Sequence, residues 1–463
     1  MKSPVDVLVI GAGISGLALT YKLKKQGKDV VLLDAADRPG GLVKTAYTDW
    51  GQLEMGPRGL RLRGEGGQAF LELVKDLSLE PHLIGSSEEA ASRHILWEGK
   101  LEKVEALPWK WPFSKVTSGL LGALFQEALG IRSFRNFLHE LARKSSPASE
   151  LDLTIEDFLT QRFGYELYKR LFEPALLGVF AASGHHLSTA TCLEPLWQTY
   201  QASGSLVRGM IFKKLGKIFK EPSLSLAPWD KYPLVSFDKG LQVLVDALSQ
   251  QTRSSFYGRQ KVNRLSWDPK LEIFRVQSSS QMWMAKRVVV ACSPWSLGYR
   301  AIDLLHWDPF ISHMQPQSLA WVHLGWNKPL EKAWGFGYLI PPETGKGVLG
   351  VVMDSNIFPQ HDRGNIARMT VMMTCEAEDL EKAAQKSIEK VRQHLNETDR
   401  PVFIRHSIAD KALALYKPQF KVSRQKLFNE IEEKQWPLSF LGMGYGSFSF
   451  LQCLAEVKRL RGI

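Results

Sequence analysis

The stretch VDVLVIGAGISGLALTYKLKKQGKDVVLLD, residues 5–34, decides the fold. Its first six residues, VDVLVI, read as a strand whose apolar run from Val7 is of the kind buried on both faces. GAGISG at 11–16 turns that strand into a helix, read as residues 17–26, with Lys22, Lys24 and Lys25 off its apolar side and a stop at Gly27. A second strand, 29–34, ends in an acid. Strand, glycine turn, helix, strand and terminal acid together form the βαβ fingerprint of a dinucleotide site. Gly11 permits the tight turn, Gly13 lets a pyrophosphate approach the backbone, and Gly16 lets the helix pack on the sheet. Ile14 and Ser15 lie in the turn and are expected at the cofactor, and the helix N-terminus faces the phosphates with its unpaired N–H groups and positive dipole end. Asp34, followed by Ala35, is placed to accept hydrogen bonds from ribose hydroxyls.

Two further glycine turns point to a flavin. RPGGL at 38–42 follows the acid closely, and paired glycines supply positive φ and exposed amides near phosphate. LEMGPR at 53–58 is a second constrained turn flanked by a cation. Arg38, Gly40, Gly41, Leu42, Gly56, Pro57 and Arg58 are therefore expected in one cofactor site. Near the other end, LSFLGMGYG at 438–446 reads as a strand entering a glycine-rich turn before a last helix, 448–461. That turn can set a second helix N-terminus against the flavin, through Gly442, Met443 and Phe448. Val262, which opens a hairpin read at 262–267 and 271–276, is expected at the cofactor too. Residues 286–291 read as a buried strand and 379–395 as a polar helix. Such pieces at both ends and in the middle imply a discontinuous cofactor domain with two insertions.

Composition limits the alternatives. The 463 residues, 44% hydrophobic and 23% charged, are too apolar for disorder, and no run of 18 apolar residues suggests a transmembrane helix. The chain enters a strand within five residues, so no signal peptide is expected. Cys192, Cys292, Cys375 and Cys453 form no CxxC pair, which argues against structural zinc, an iron–sulfur cluster or a disulfide framework and for a reduced compartment. His185 and His186 are adjacent and cannot share one helix face as a zinc pair, so no metal is expected. Lys and Arg number 59 against 48 Asp and Glu, a net charge of +11 that suits an anionic partner or serves solubility.

The middle of the chain is different in texture. Aromatic and apolar residues cluster at WKWPF, 109–113, and GLLGALFQEALGI, 119–131, and 155–179 reads as helical. RGMIFKKLGKIFK, 208–220, alternates Met210, Ile211, Leu215, Ile218 and Phe219 with Lys213, Lys214, Lys217 and Lys220. That pattern fits an interfacial helix with lysines at anionic headgroups, and equally a core-facing helix with a solvated lysine side. No Arg/aromatic arrangement marks a nucleic-acid module, so no nucleic-acid partner is expected.

Further stretches carry a resemblance to the protoporphyrinogen oxidase family, within the flavin amine-oxidase/phytoene-desaturase superfamily. They are RHILWEGKL at 93–101, Phe163-Gly, Glu173-Pro, GVFA at 178–181, Leu187-Ser, GSLVRG at 204–209 and SFDKGLQ at 236–242. GFGYLIP at 335–341, LGVVMDS at 349–355 and Phe358-Pro follow in the family's order. The resemblance implies an amine-oxidase-like α/β fold with a Rossmann-type FAD-binding domain, residues 1–82, 234–296 and 405–463. It implies an inserted helical membrane-binding domain, 98–208, and an α+β substrate domain, 83–97, 209–233 and 297–404. It implies FAD as cofactor and the six-electron oxidation of a porphyrinogen with O2 or another acceptor. The implied setting is cytoplasmic, peripheral to the inner face of a membrane, with a downstream chelatase as a partner for the product. Arg93 matches the family's arginine for a substrate propionate, Phe336 and Leu339 line the substrate side of the flavin, Met372 lines the pocket and Gly178 lies in a cavity wall.

This chemistry asks for apolar walls and a guanidinium rather than a catalytic acid or base, and none is named. The chain departs from the family in carrying Ser447 and Gln452-Cys453 for a glycine and an Asp-Cys pair in the last turn. It also has Ala414-Leu415-Tyr416 for Pro-Gln-Tyr, and Asp34 for a glutamate. Protoporphyrinogen IX, with two propionates, is the leading substrate, since Arg93 is the one basic candidate in place. Coproporphyrinogen III, another desaturase or amine-oxidase substrate, and a non-catalytic flavin scaffold at the membrane are the alternatives.

Overall fold

The computed structural model describes residues 3–104, 130–142, 152–218, 226–297, 302, 305–329, 331, 334–345, 347–374 and 379–460. The aromatic stretch 109–113 and most of 119–131 lie outside the described residues. The chain divides into two compact units. The first comprises Met1–Ser86, Leu224–Pro316 and Lys421–Ile463, and the second Ser87–Ser223 and Gln317–Phe420.

The first unit is built on a seven-stranded sheet. Val5–Ile10 lies at its centre, parallel to Val30–Leu33 on one side and to Met282–Val290 on the other. Val7 to Ile10 and all of Val30–Leu33 are buried, as their unbroken apolar sequence requires. Val262–Asp268 and Ile273–Ser278 continue the sheet as an antiparallel hairpin, and Leu438–Phe440 joins Met282–Val290 in parallel. The helix Ile14–Lys25 begins three residues before the expected 17, because Gly13 takes the extended N-cap conformation and Gly16 already sits in the first turn. Its lysines fall in the last turn, where they complement the negative end of the dipole. The last helix, Phe450–Arg459, packs with the helices Ile14–Lys25 and Gly64–Asp76 through Phe70, Leu17, Leu454 and Val457.

The second unit joins a seven-stranded sheet to a helical insertion. The sheet order is Phe403–Tyr416, Met314–Trp326, Ala367–Met373, Val348–Val352, Gly337–Leu339, Arg93–Trp97, Lys100–Val104. Phe403–Tyr416 thus belongs to this sheet, although the sequence places residues from 405 on with the cofactor part. Lys100–Val104 is also a strand, inside a stretch expected to be helical. Glu98 and Gly99, both at positive φ, close a two-residue turn that pairs it with Arg93–Trp97. One face of the sheet is covered by the helix Leu380–His394, whose Ala384, Ile388 and Val391 meet Val322, Val351 and Val371.

The helical reading of 155–179 is broken by Gly164, at φ +90°, into Ile155–Phe163 and a second run that ends with Glu173–Phe180. Phe158, Tyr168, Trp197 and Tyr200 form the insertion's core. Arg162 is buried there between the Phe158 and Tyr200 rings, 3.7 and 4.4 Å from their centroids. Among the described residues no helix is long and apolar enough to cross a membrane, and no cluster of three or more metal-capable side chains forms.

Candidate active site

Three glycine turns nest at the carboxyl ends of the first unit's central strands. Gly11, at φ +106°, leaves Val5–Ile10, and a Cβ on it would lie 2.7 Å from the Cys292 backbone nitrogen. A Cβ on Gly16 would lie 1.9 Å from the Gly11 carbonyl oxygen, so the helix can start this close to the turn only with glycine there. Gly13 differs: a Cβ on it would meet nothing within 4 Å. Protein packing does not demand glycine at 13, and the open space in front of it is room for a ligand. The helix that begins there has no acid in its first turn and no side-chain cap, so its positive end and orphan N–H groups are unneutralised.

The second and third turns close over the first. Gly40 donates its N–H to the Ala12 carbonyl at 2.8 Å, and a Cβ on Gly41 would approach the Gly13 Cα to 3.2 Å. Arg38 donates to the Pro39 carbonyl and holds this loop's shape. Gly56, which leads into Pro57 and Arg58, packs on the same loop: a Cβ on it would lie 2.1 Å from the Leu42 carbonyl oxygen.

Asp34 sits where Val30–Leu33 ends. Its Oδ2 accepts from the Ala12 N–H at 2.6 Å and its Oδ1 from the Ala36 N–H at 2.8 Å. Each oxygen keeps a lone pair for a ribose hydroxyl, and Ala35 beside it is exposed. The chain leading to Val262 runs alongside: Gln260 donates to the Asp34 carbonyl at 2.7 Å and Arg259 to that of Ala36 at 2.9 Å. Val262 itself is buried.

The C-terminal turn completes this cradle. A Cβ on Gly442 would lie 2.9 Å from Ser15 Oγ, so the turn docks on the first turn of the helix Ile14–Lys25. Met443 bridges to Ser447 within the turn. Gln452, where the resemblance leads one to expect an acid, braces the turn locally. Its Oε1 accepts the Phe448 N–H at 2.8 Å, while Ser449 Oγ caps the Gln452 N–H. Phe448 thus stands at the turn with its N–H already engaged. Open space at Gly13, an uncapped helix N-terminus and an anchored carboxylate with spare lone pairs fit FAD.

The parts that pack behind these turns carry no local sequence signal. Cys292 fills the space against Gly11, and burial, aided by the nearby Asp34 charge, pushes its thiol up to about 12. Glu456 accepts the Gly442 N–H at 3.1 Å. Neither residue is legible from its neighbours, because each meets the turn from a distant part of the chain.

The second unit gathers the expected substrate residues on the sheet face opposite Leu380–His394. Trp321, Met372, Gly350, Leu339 and Ile95 lie directly across from one another on successive strands, so the side chains of Trp321, Met372, Leu339 and Ile95 share that face. Arg93 is two residues before Ile95, on the same face. Its Cζ lies 4.9 Å from the Phe336 ring centroid. Phe336 is held by its N–H to the Ser92 carbonyl and its carbonyl to the Met353 N–H, at 2.8 and 2.9 Å. Gly178 is exposed on Glu173–Phe180 and touches the row: a Cβ on it would lie 2.6 Å from Leu339 Cδ2. Leu177 of that segment and Ala181, its C-cap, cluster with Trp321, Leu349 and Met372. His323, two residues beyond Trp321, shares a hydrogen bond of 2.9 Å with Thr370, which donates to Asp354.

Comparison with known proteins agrees with this geometry. The chain matches the model of the flavin containing amine oxidoreductase family over residues 14–424. It is 29% identical to human protoporphyrinogen oxidase over 396 residues, 79% of this chain and 76% of that protein. It is 27% identical to the coproporphyrinogen III oxidase of Staphylococcus aureus over 257 residues, 54% of this chain and 52% of that protein. A solved structure from Exiguobacterium sp. 255-15, provisionally assigned as a protoporphyrinogen oxidase, superposes with a TM-score of 0.80 at 19% identity, covering 99% of this chain and 98% of that one. Cyclohexylamine oxidase from Brevibacterium oxydans shares the fold with a TM-score of 0.67 at 15% identity, covering 98% and 99%. The chain belongs to the flavin containing amine oxidoreductase family and is an FAD-dependent oxidoreductase.

Proposed function

We propose that this protein oxidises protoporphyrinogen IX to protoporphyrin IX in heme biosynthesis, removing six electrons in three flavin cycles with O2 as acceptor. The observation that carries this reading is the face of the second sheet. A guanidinium, Arg93, stands at the edge of an apolar row formed by Leu339, Met372 and Trp321. A broad, greasy macrocycle with its two carboxylates on one side has that same distribution of character. FAD, when bound, supplies the two-electron acceptor for each cycle. Arg93, held over Phe336, grips a propionate by paired N–H donors and so fixes the plane of the ring. Gly178 lets the Leu339 side chain pack directly against its segment, and the apolar row keeps water from the ring.

The likeness to protoporphyrinogen oxidases of several organisms supports the substrate class, and the likeness to a coproporphyrinogen III oxidase supports the second reading. Four propionates ask for more cations than Arg93 provides on this face. Turnover compared on the two porphyrinogens tests the choice: faster oxidation of protoporphyrinogen IX is expected, and faster oxidation of coproporphyrinogen III overturns it.

The protein is also proposed to act at the surface of a membrane. The helices Gly130–Ala142 and Leu206–Ile218 pack side by side and leave Leu138 and Phe212 46% and 60% exposed. Lys213, Lys214 and Lys217 belong to the second of these helices. Replacing all three by Glu is expected to weaken binding to anionic vesicles, read by co-sedimentation, by on the order of 100-fold, at about 1 kcal/mol per lysine near the surface. Equal co-sedimentation of variant and wild type contradicts the interfacial role of this helix.

A further inference from the structure

A guanidinium that has no negative partner among the described residues lies against the C-terminal glycine turn. Arg424, on Phe420–Glu433, is partly buried, and its Cζ stands 4.7 Å from the centroid of the Phe428 ring one helical turn on. It faces Gly446: a Cβ there would lie 3.2 Å from Cζ and 3.4 Å from Nε and Nη1. Gly446 is at φ +122°, a conformation that L side chains rarely adopt, and its bare Cα is what lets the guanidinium come so close. Arg424 Nε is closed off from solvent with no hydrogen-bond partner, and among the described residues no carboxylate pairs with this side chain.

Arginine stays charged at any ordinary pH, so partly burying it beside an aromatic ring, with Nε shielded and no carboxylate among the described residues to pair it, is unfavourable unless something else needs the charge. The turn it touches is the one assigned to the cofactor. Gly442, at one end, abuts Ser15 in the phosphate-facing helix, and Gly446, at the other, carries Arg424. The N-terminus of Phe450–Arg459 follows directly and adds its positive dipole end. We infer that Arg424 supplies the fixed positive charge that stabilises the negative charge the flavin ring gains on reduction, and so raises its reduction potential. This rests on the assignment of 442–448 to the flavin ring and not on the identity of the substrate. A cation held near that ring is one of the few means a protein has to tune its electronics.

Sulfite tests this without any organic substrate. Its sulfur lone pair forms an N–S bond to the oxidised flavin, and the displaced electron pair stays on the ring as negative charge, so its affinity reports the cation directly. The FAD-loaded wild type, Arg424→Gln and Arg424→Lys are titrated with sulfite and with a reference dye for midpoint potential. Arg424→Gln is expected to bind sulfite at least tenfold more weakly and to lower the potential by about 30 mV, the two-electron equivalent of tenfold. Arg424→Lys is expected to stay within about twofold of wild type, since it keeps the charge and loses only the stacking plane. Unchanged sulfite affinity and potential in Arg424→Gln overturn the proposal and leave Arg424 as packing for Phe428. If Arg424→Gln fails to keep flavin, Arg424→Lys decides: near-wild-type sulfite affinity supports the role of charge, and a tenfold loss overturns it. None of these outcomes depends on porphyrinogen turnover, which stands or falls separately.

Discussion

Gly13→Asp is expected to give a folded protein that purifies without flavin. Gly13 takes φ −69° and ψ −179°, which any residue adopts, and a side chain there meets open space. As the N-cap of Ile14–Lys25, an Asp would accept first-turn N–H groups and complement the dipole, adding roughly 0.5–1 kcal/mol to the apoprotein over glycine. The same carboxylate takes the donors a pyrophosphate needs and sets a negative charge against it. Two like charges about 4 Å apart repel by about 4 kcal/mol at an effective dielectric of 20, so a loss of FAD affinity on the order of 100-fold or more is expected. The check is the flavin absorbance of purified variant beside thermal melts of both apoproteins. Full flavin content in Gly13→Asp contradicts the assignment of the first turn. A matching substitution at Gly16 cannot make this separation, because a Cβ 1.9 Å from the Gly11 carbonyl disrupts the turn itself.

The second large effect is expected at Arg93. Arg93→Ala removes the cation at the edge of the apolar face and should raise KM for protoporphyrinogen IX by about 1–3 kcal/mol, roughly 5- to 150-fold, with kcat altered less. The asymmetry follows from the role: holding a propionate contributes to binding in ground and transition states alike. Arg93→Lys keeps charge but loses the planar fork and the stack on Phe336, so it should recover only part of the loss. Steady-state kinetics on the three proteins checks this, and an unchanged KM in Arg93→Ala removes the propionate role.

What the sequence reveals and what it hides divide along the range of the interactions. The first βαβ unit is legible because glycine spacing, apolar runs and a terminal acid act within thirty residues, and the helix start slips only because Gly16 belongs inside it. The hairpin Val262–Asp268 with Ile273–Ser278 is likewise local. Gly164 does not stand out as a break in 155–179, although its φ of +90° ends the helix there. The Glu98-Gly99 turn is as easily passed over, and with it the strand Lys100–Val104. Nothing local can show that Gly56 packs on Leu42, that Cys292 backs Gly11, or that Met372, Gly350 and Leu339 align across three strands. Register across a sheet is set by tertiary packing, not by neighbours in sequence. Arg424 is silent for the same reason: four residues before Phe428, it reads as one more basic position on a surface helix.

The central claim, that this flavoenzyme oxidises a porphyrinogen, is tested most directly by mixing the FAD-loaded protein with protoporphyrinogen IX without oxygen and then admitting oxygen. Loss of the flavin's visible absorbance before oxygen, followed by its return and by sustained growth of porphyrin fluorescence above the enzyme-free rate, is the predicted result. Flavin absorbance that stays unchanged with protoporphyrinogen IX, and equally with coproporphyrinogen III, contradicts it.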